Sequence, residues 1–204
     1  MDLSYFIKGL IFGFSIAAPV GPIGILCIRR SLSGGWSAGL LTGFGAATAD
    51  ACYGCVAGFG LAGISGFLVG QQAWIQPLGG LFLCWLGLRI LLSDAGDLAA
   101  KTSPGDAAMG YLSAFFLTLT NPMTILSFAA VFTGMGIGRD GSGHTAAGCL
   151  VAGVFSGSMA WWIVLSSTSS LFNSRMNKTG MRWINRISGS VLAGFGLILV
   201  MGRF

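Results

Sequence analysis

The stretch SIAAPVGPIGIL, Ser15–Leu26, decides how the chain is read. It carries Pro19, Gly21, Pro22 and Gly24 inside a run, Gly9–Ile28, that holds no charged residue. A run of this kind is long enough to cross a bilayer as a helix. Further uncharged runs follow at Ser31–Ala49, continuing past Asp50 to Leu88, then at Ala107–Gly138, and from Thr145 up to Arg175. Over its 204 residues the chain is 54% hydrophobic and only 8% charged, with a mean hydropathy of +0.81. Soluble domains carry about a quarter charged residues, so the composition reads as an all-α integral membrane protein. Barrel strands would be short and alternate polar with apolar.

Asp2 and Lys8 do not make a basic leader, and Pro19 spoils the small-residue cleavage site after Ala17 and Ala18, so the first helix is expected to be retained. The net charge of +5 is spread over connectors with no basic arm for nucleic acid. The cysteines Cys27, Cys52, Cys55, Cys84 and Cys149 all fall in apolar runs and read as small packing residues, not a disulfide framework.

Turn and charge signals divide the chain into six spans, near 4–28, 37–62, 72–92, 109–135, 145–171 and 185–202. The one strongly polar connector, SDAGDLAAKTSPGDAAM at Ser93–Met109, splits a single transporter domain, 1–204, into halves at 1–93 and 107–204 with a linker at 94–108. The halves resemble each other in order. GPIGIL at Gly21–Leu26 matches NPMTIL at Asn121–Leu126, TGFG at Thr42–Gly45 falls against AGVF at Ala152–Phe155, and GGLFLCWLGL at Gly79–Leu88 aligns with SGSVLAGFGL at Ser188–Leu197. Three helices is an odd number, so the second copy enters from the opposite side and the expectation is two inverted three-helix repeats. Arg29, Arg30, Arg89, Lys101, Arg175, Lys178, Arg182 and Arg186 lie on one side of this arrangement, and Lys8, Arg139 and Arg203 on the other. Lys and Arg mark the cytoplasmic face, which puts both termini outside. Arg29 and Arg30 are read as topology anchors close enough to the break to attract an anion.

The breaks themselves carry the functional reading. Pro22 lacks a backbone donor, and Pro19 and the glycines loosen the same turn. Freed backbone groups are tolerated at membrane depth only where they face protein or a watery cavity. A proline also suits the first turn of a new helix, whose free N–H groups and positive dipole end favour an anion such as a carboxylate. Asn121 and Pro122 stand at the matching place in the second half, with Thr118 and Thr120 adding hydroxyls. Paired breaks in the first and fourth spans point to a transport site. Asp50, within GAATADACYG, is the acidic residue lying inside a span away from its ends, where a charge is costly and functional by default. Its repeat position, Ala160, lacks a carboxylate.

LSSTSS at Leu165–Ser170 is either a polar path or ordinary cross-helix bonding. Trp161 and Trp162 are packing or gate residues, and His144 is solvated in a connector. With one histidine and no phosphate-binding Gly-Lys loop, HExxH or GxSxG, the chain is not expected to be an enzyme or to hold a cofactor or resident metal. An ion gradient must then supply the energy.

The Pro-Gly-Pro-like break, the small-residue segment SLSGGWSAGLLTGFGAATAD at Ser31–Asp50, GGLFLCWLG at Gly79–Gly87 and the Asn-Pro of the fourth span resemble the lysine exporter (LysE) family of bacterial amino-acid exporters over almost the whole chain. The resemblance implies a multi-pass protein of the bacterial inner membrane that exports an amino acid or close analogue, driven by protons. It assigns Pro19, Gly21, Pro22, Asp50, Asn121 and Pro122 to the central site or gate. The family's common Pro-Gly-Pro is here one residue longer, as Pro19-Val20-Gly21-Pro22. The mechanism expected is alternating access by rocking of the two halves, with an amino acid, a proton and the lipid bilayer as partners and a homodimer as the assembly. Two other functions are weighed. Cadmium-like metal export would need ligands gathered at one site, for which only Asp50, Cys52 and Cys55 come near. Thiol-disulfide transfer would need cysteines beside both breaks, yet Cys27 has Ser127 as its repeat partner.

Overall fold

A computed structural model describes residues 2–19, 21–58, 72–92, 104–121, 124, 125, 127, 128, 144–172 and 178–201. Among them lie seven helices and no strand: α1 (Asp2–Ala17), α2 (Pro22–Gly34), α3 (Trp36–Gly58), α4 (Gln72–Leu91), α5 (Pro104–Leu119), α6 (His144–Ser170) and α7 (Lys178–Val200). The helical class expected from composition holds. Helices α6 and α7 are each long and apolar enough to cross a membrane, and α1 with α2, bent by 81° at the break, gives a third candidate when the pair counts as one span.

Two boundaries differ from the sequence reading. Helix α2 does not end at 28 but runs to Gly34, leaving only Gly35 before α3. The turn is made there because Gly35 takes φ 80°, open to a residue without Cβ, while its N–H closes onto the Ser31 carbonyl at 3.0 Å. Arg29 therefore sits inside the helix and is buried, 7% exposed. Helix α7 starts at Lys178, seven residues before the expected 185, because its first turns form an amphipathic helix whose Met181 and Asn185 face inward. The polar linker up to Ser103 and the connector at 129–143 lie outside the described residues.

The helices pair between the early and late parts of the chain. Gly9 and Gly13 of α1 lie against the backbone of Leu150–Val154, and Gly157 against Leu10 and Phe14, so that α1 and α6 run parallel. Helices α3 and α5 are also parallel, Gly45 meeting Tyr111 and Tyr53 meeting Leu119. Helices α4 and α7 are antiparallel. Gly80 approaches the Gly196 carbonyl and Gly87 the Gly189 carbonyl, where a Cβ would stand 2.7 Å from oxygen in each case. Small residues permit this close approach in place of a water-driven core. Antiparallel α3 and α6 cross the middle, with Gly43 against Trp162 and Asp50 against Ser158.

Candidate functional site

The first break is built as the sequence predicts. The Ala18 N–H closes α1 onto the Phe14 carbonyl at 3.0 Å. Pro22 then opens α2 at its first turn, with Gly21 as an extended N-cap (φ −104°, ψ −160°) that offers no side-chain cap. The N-terminal amide hydrogens of α2 are thus left for backbone, water or ligand. In the later half, the Thr120 N–H reaches Phe116 at 2.9 Å and the Asn121 N–H tightens onto Thr118 at 3.2 Å as α5 ends. Helix resumes beyond it at 124–125 and 127–128. The Ile25 N–H donates to the Gly21 carbonyl at 3.1 Å, and the Ile125 N–H to the Asn121 carbonyl at the same 3.1 Å. Matching sequence positions therefore restart a helix with the same bond. Pro122 lies outside the described residues.

The two breaks face each other across a cavity of about 270 Å³. Pro19, Gly21 and Pro22 line it from one side, and Thr120, Asn121, Thr124 and Ser127 from the other. Leu83 of α4, Leu117 of α5, and Phe195 and Leu199 of α7 supply apolar wall. No charged side chain is among the described lining residues. A second cavity, about 50 Å³, adjoins it, sharing Pro19, Gly21, Pro22 and Asn121 and adding Thr118, Asp50 and Trp162. All the expected site residues that are described therefore meet at the breaks. The carboxylate lies in the smaller compartment, the hydroxyls and amide mainly in the larger.

Asp50 is 3% exposed. It accepts a hydrogen bond from Ser158 Oγ at 2.7 Å, and Trp162 Nε1 donates to that hydroxyl at 3.1 Å. Ser158 and Trp162 are one helical turn apart on α6 and so share a face. A buried carboxylate held by a hydroxyl keeps an oxygen able to accept a proton or an ammonium group. Cys52, two residues on, is exposed, so Asp50, Cys52 and Cys55 do not converge as metal ligands. Among the described residues no group of three or more His, Cys, Asp and Glu gathers.

Several side chains at the site were not singled out from sequence. Tyr53 is buried and donates from its hydroxyl to the Leu119 carbonyl, the last of α5, at 2.6 Å. Its ring stacks on Phe128 at 5.3 Å between centroids. It thereby satisfies an end carbonyl exposed by the break. The signal for Tyr53 was its spacing, three residues after Asp50 on one face of α3. Thr124 stood in the open within NPMTIL, at the place of Gly24. Ser158 and Phe195 had no local signal, since only tertiary packing brings them here. Of the serine run, Ser166 is buried against Cys27, Oγ to Sγ 3.4 Å, and Ser167 Oγ accepts from Trp36 Nε1 at 3.0 Å; both act as cross-helix bonds. His144 is the exposed first residue of α6.

Replacing Tyr53 by Phe keeps the stacked ring but orphans the Leu119 carbonyl. The hydrogen bond contributes about 1 kcal/mol, so transport affinity is expected to weaken about fivefold with the amount of protein in the membrane unchanged. Transport kinetics against substrate concentration, beside a membrane blot, check this.

The LysE type translocator family matches residues 14–203 of the chain. The threonine efflux protein of Escherichia coli K12 is 30% identical over 158 residues, covering 72% of this chain and 75% of that protein. The putative amino acid efflux protein YcgF of Bacillus subtilis 168 is 25% identical over 200 residues, 95% and 94% of the two chains. The chemotactic transduction protein ChpE of Pseudomonas aeruginosa is 27% identical over 204 residues, 97% and 95%. No solved structure matches.

Proposed function

The chain belongs to the LysE type translocator family, and from that membership we propose that it carries an amino acid or close analogue out of the cytoplasm as a secondary transporter. The observation that carries the reading is the pair of matched helix breaks, at Gly21-Pro22 and Asn121, facing each other across one cavity with Asp50 beside them. The helix start at Pro22 suits the substrate carboxylate. Asp50 suits the amino group or the coupling proton. The larger compartment, apolar with hydroxyl and amide groups and no charge among its described lining residues, favours a neutral substrate side chain. A lysine-like ammonium there would lack a counter-charge. The relatives named for threonine and amino acid efflux agree with this choice.

The helix pairings support the inverted-repeat reading. The sequence match sets Gly80 against Gly189 and Gly87 against Gly196, and the contacts are exchanged, Gly80 with Gly196 and Gly87 with Gly189. A two-fold axis relating the halves requires such an exchange. The parallel pair α1·α6 has its counterpart in α3·α5, while α3·α6 and α4·α7 map onto themselves. Such an axis lies in the membrane plane when the halves are inverted. Six spans, outward termini and alternating access complete the proposal, with the proton gradient as energy source.

Efflux from cells loaded with a panel of labelled amino acids, with and without a protonophore, tests it. Protonophore-sensitive loss of a neutral amino acid is the expected result. Retention of every amino acid, with resistance to cadmium instead, would turn the assignment to metals. Replacing all five cysteines by serine should leave more than half of the efflux, because Cys27 is a buried partner of Ser166 and has no thiol opposite it at Ser127. Complete loss of efflux from a protein still present in the membrane would favour thiol chemistry.

A further inference from the structure

The packing divides the described helices in a way the two halves do not. Helices α4 and α7 lie chiefly against each other, one from each half. Their seam is tight, since the Gly80–Gly196 and Gly87–Gly189 approaches bring backbone to backbone and Cys84 Sγ lies 3.6 Å from the Ala193 carbonyl. Toward the other described helices the pair presents an apolar surface, where Leu83, Leu86 and Leu192 rest on Leu26 of α2 and Leu117 of α5. Apolar contacts are non-directional and permit sliding. A polar bond between described residues crosses this surface. Arg29 Nε of α2 donates to Asn185 Oδ1 of α7 at 3.0 Å, between side chains 7% and 1% exposed. Arg29 lies two turns along α2 from Pro22, about 10 Å at helical rise. The same pair, through Leu83, Phe195 and Leu199, forms a wall of the larger cavity.

The geometry points to α4 and α7 as one moving arm that opens and closes the cavity, with the Arg29–Asn185 bond as its latch on the face where Arg29 lies. This inference rests on the transporter reading above and replaces rocking of the two sequence halves with motion of a pair drawn from both. When the latch is shut, Phe195 and Leu199 close the cavity beside the breaks. When it parts, the arm swings off Leu26 and Leu117 as a unit and its glycine seam stays intact. A buried guanidinium–amide bond is directional, so the latched position is held at one register.

Two crosslinks distinguish this arm from rocking halves. Both are made in a protein whose other cysteines are replaced, carrying Ser127→Cys as a reporter that lines the cavity. The reporter is labelled by a hydrophilic maleimide, applied to each membrane face in turn, after a reducible bifunctional thiol reagent has joined the chosen pair. Joining Cys84 to Ala193→Cys fastens α4 to α7 and should leave labelling from both faces as in the uncrosslinked protein. Joining Arg29→Cys to Asn185→Cys locks the latch and should abolish labelling from one face by at least tenfold, with recovery on reduction. Recovery shows that the locked protein is folded. Loss of labelling in the Cys84–Ala193→Cys form, or unchanged labelling in the latch form, overturns the inference. Efflux by the uncrosslinked proteins is scored separately, so failure of the transporter reading is recognised on its own.

Discussion

Asp50→Asn is expected to reduce export about a hundredfold or more while the protein still inserts in the membrane. The side chain keeps its size and can still meet Ser158, from which Asp50 now accepts at 2.7 Å. Only the charge and the proton-accepting oxygen are lost. Removing one partner of a buried, hydrogen-bonded charge pair costs about 2–5 kcal/mol, and about 1.4 kcal/mol is tenfold. Ser158→Ala should cost less, about tenfold, because a hydrogen bond to a charged group contributes about 1.5–3 kcal/mol. Efflux rates normalised to membrane protein measure both. Full export by Asp50→Asn would remove the carboxylate from the mechanism.

Gly21→Phe is expected to bring export to background with no loss of folded protein. A Cβ at Gly21 meets nothing within 4 Å, and its φ of −104° suits any L residue. The Cβ is therefore accommodated, and the ring beyond it is expected to occupy the two cavities that Gly21 lines. Gly157→Leu gives the opposite pattern. Its Cβ would run into the backbone of Leu10, with the Leu10 carbonyl carbon 2.8 Å away. Overpacking of that kind costs about 1–3 kcal/mol, so the amount of protein in the membrane should fall. Thermal melting of the detergent-solubilised variants separates the two effects.

The features legible in the sequence are those written in local chemistry. Pro19-Val20-Gly21-Pro22 encodes the first break because proline lacks a donor, and Asn121 marks the second for the same reason one residue later. Asp50 announced itself by its cost in an apolar run. The end of α2 was misjudged because Arg29 and Arg30 look like a membrane boundary, whereas Arg29 turns inward to Asn185, a partner 156 residues away. The roles of Ser158, Phe195 and Tyr53 likewise depend on which helices come together. That α4 would choose α7 is written in no local signal, because Gly80 and Gly87 find Gly196 and Gly189 only across the two halves.

The central claim is that substrate occupies the space between the two breaks. Purified protein in liposomes loaded with the neutral amino acid that the efflux panel identifies, diluted into the same amino acid carrying label, tests it by counterflow. The account predicts transient accumulation of label through the wild type and through Gly21→Ala, and none through Gly21→Phe. Undiminished accumulation through Gly21→Phe, or none through the wild type, would contradict it.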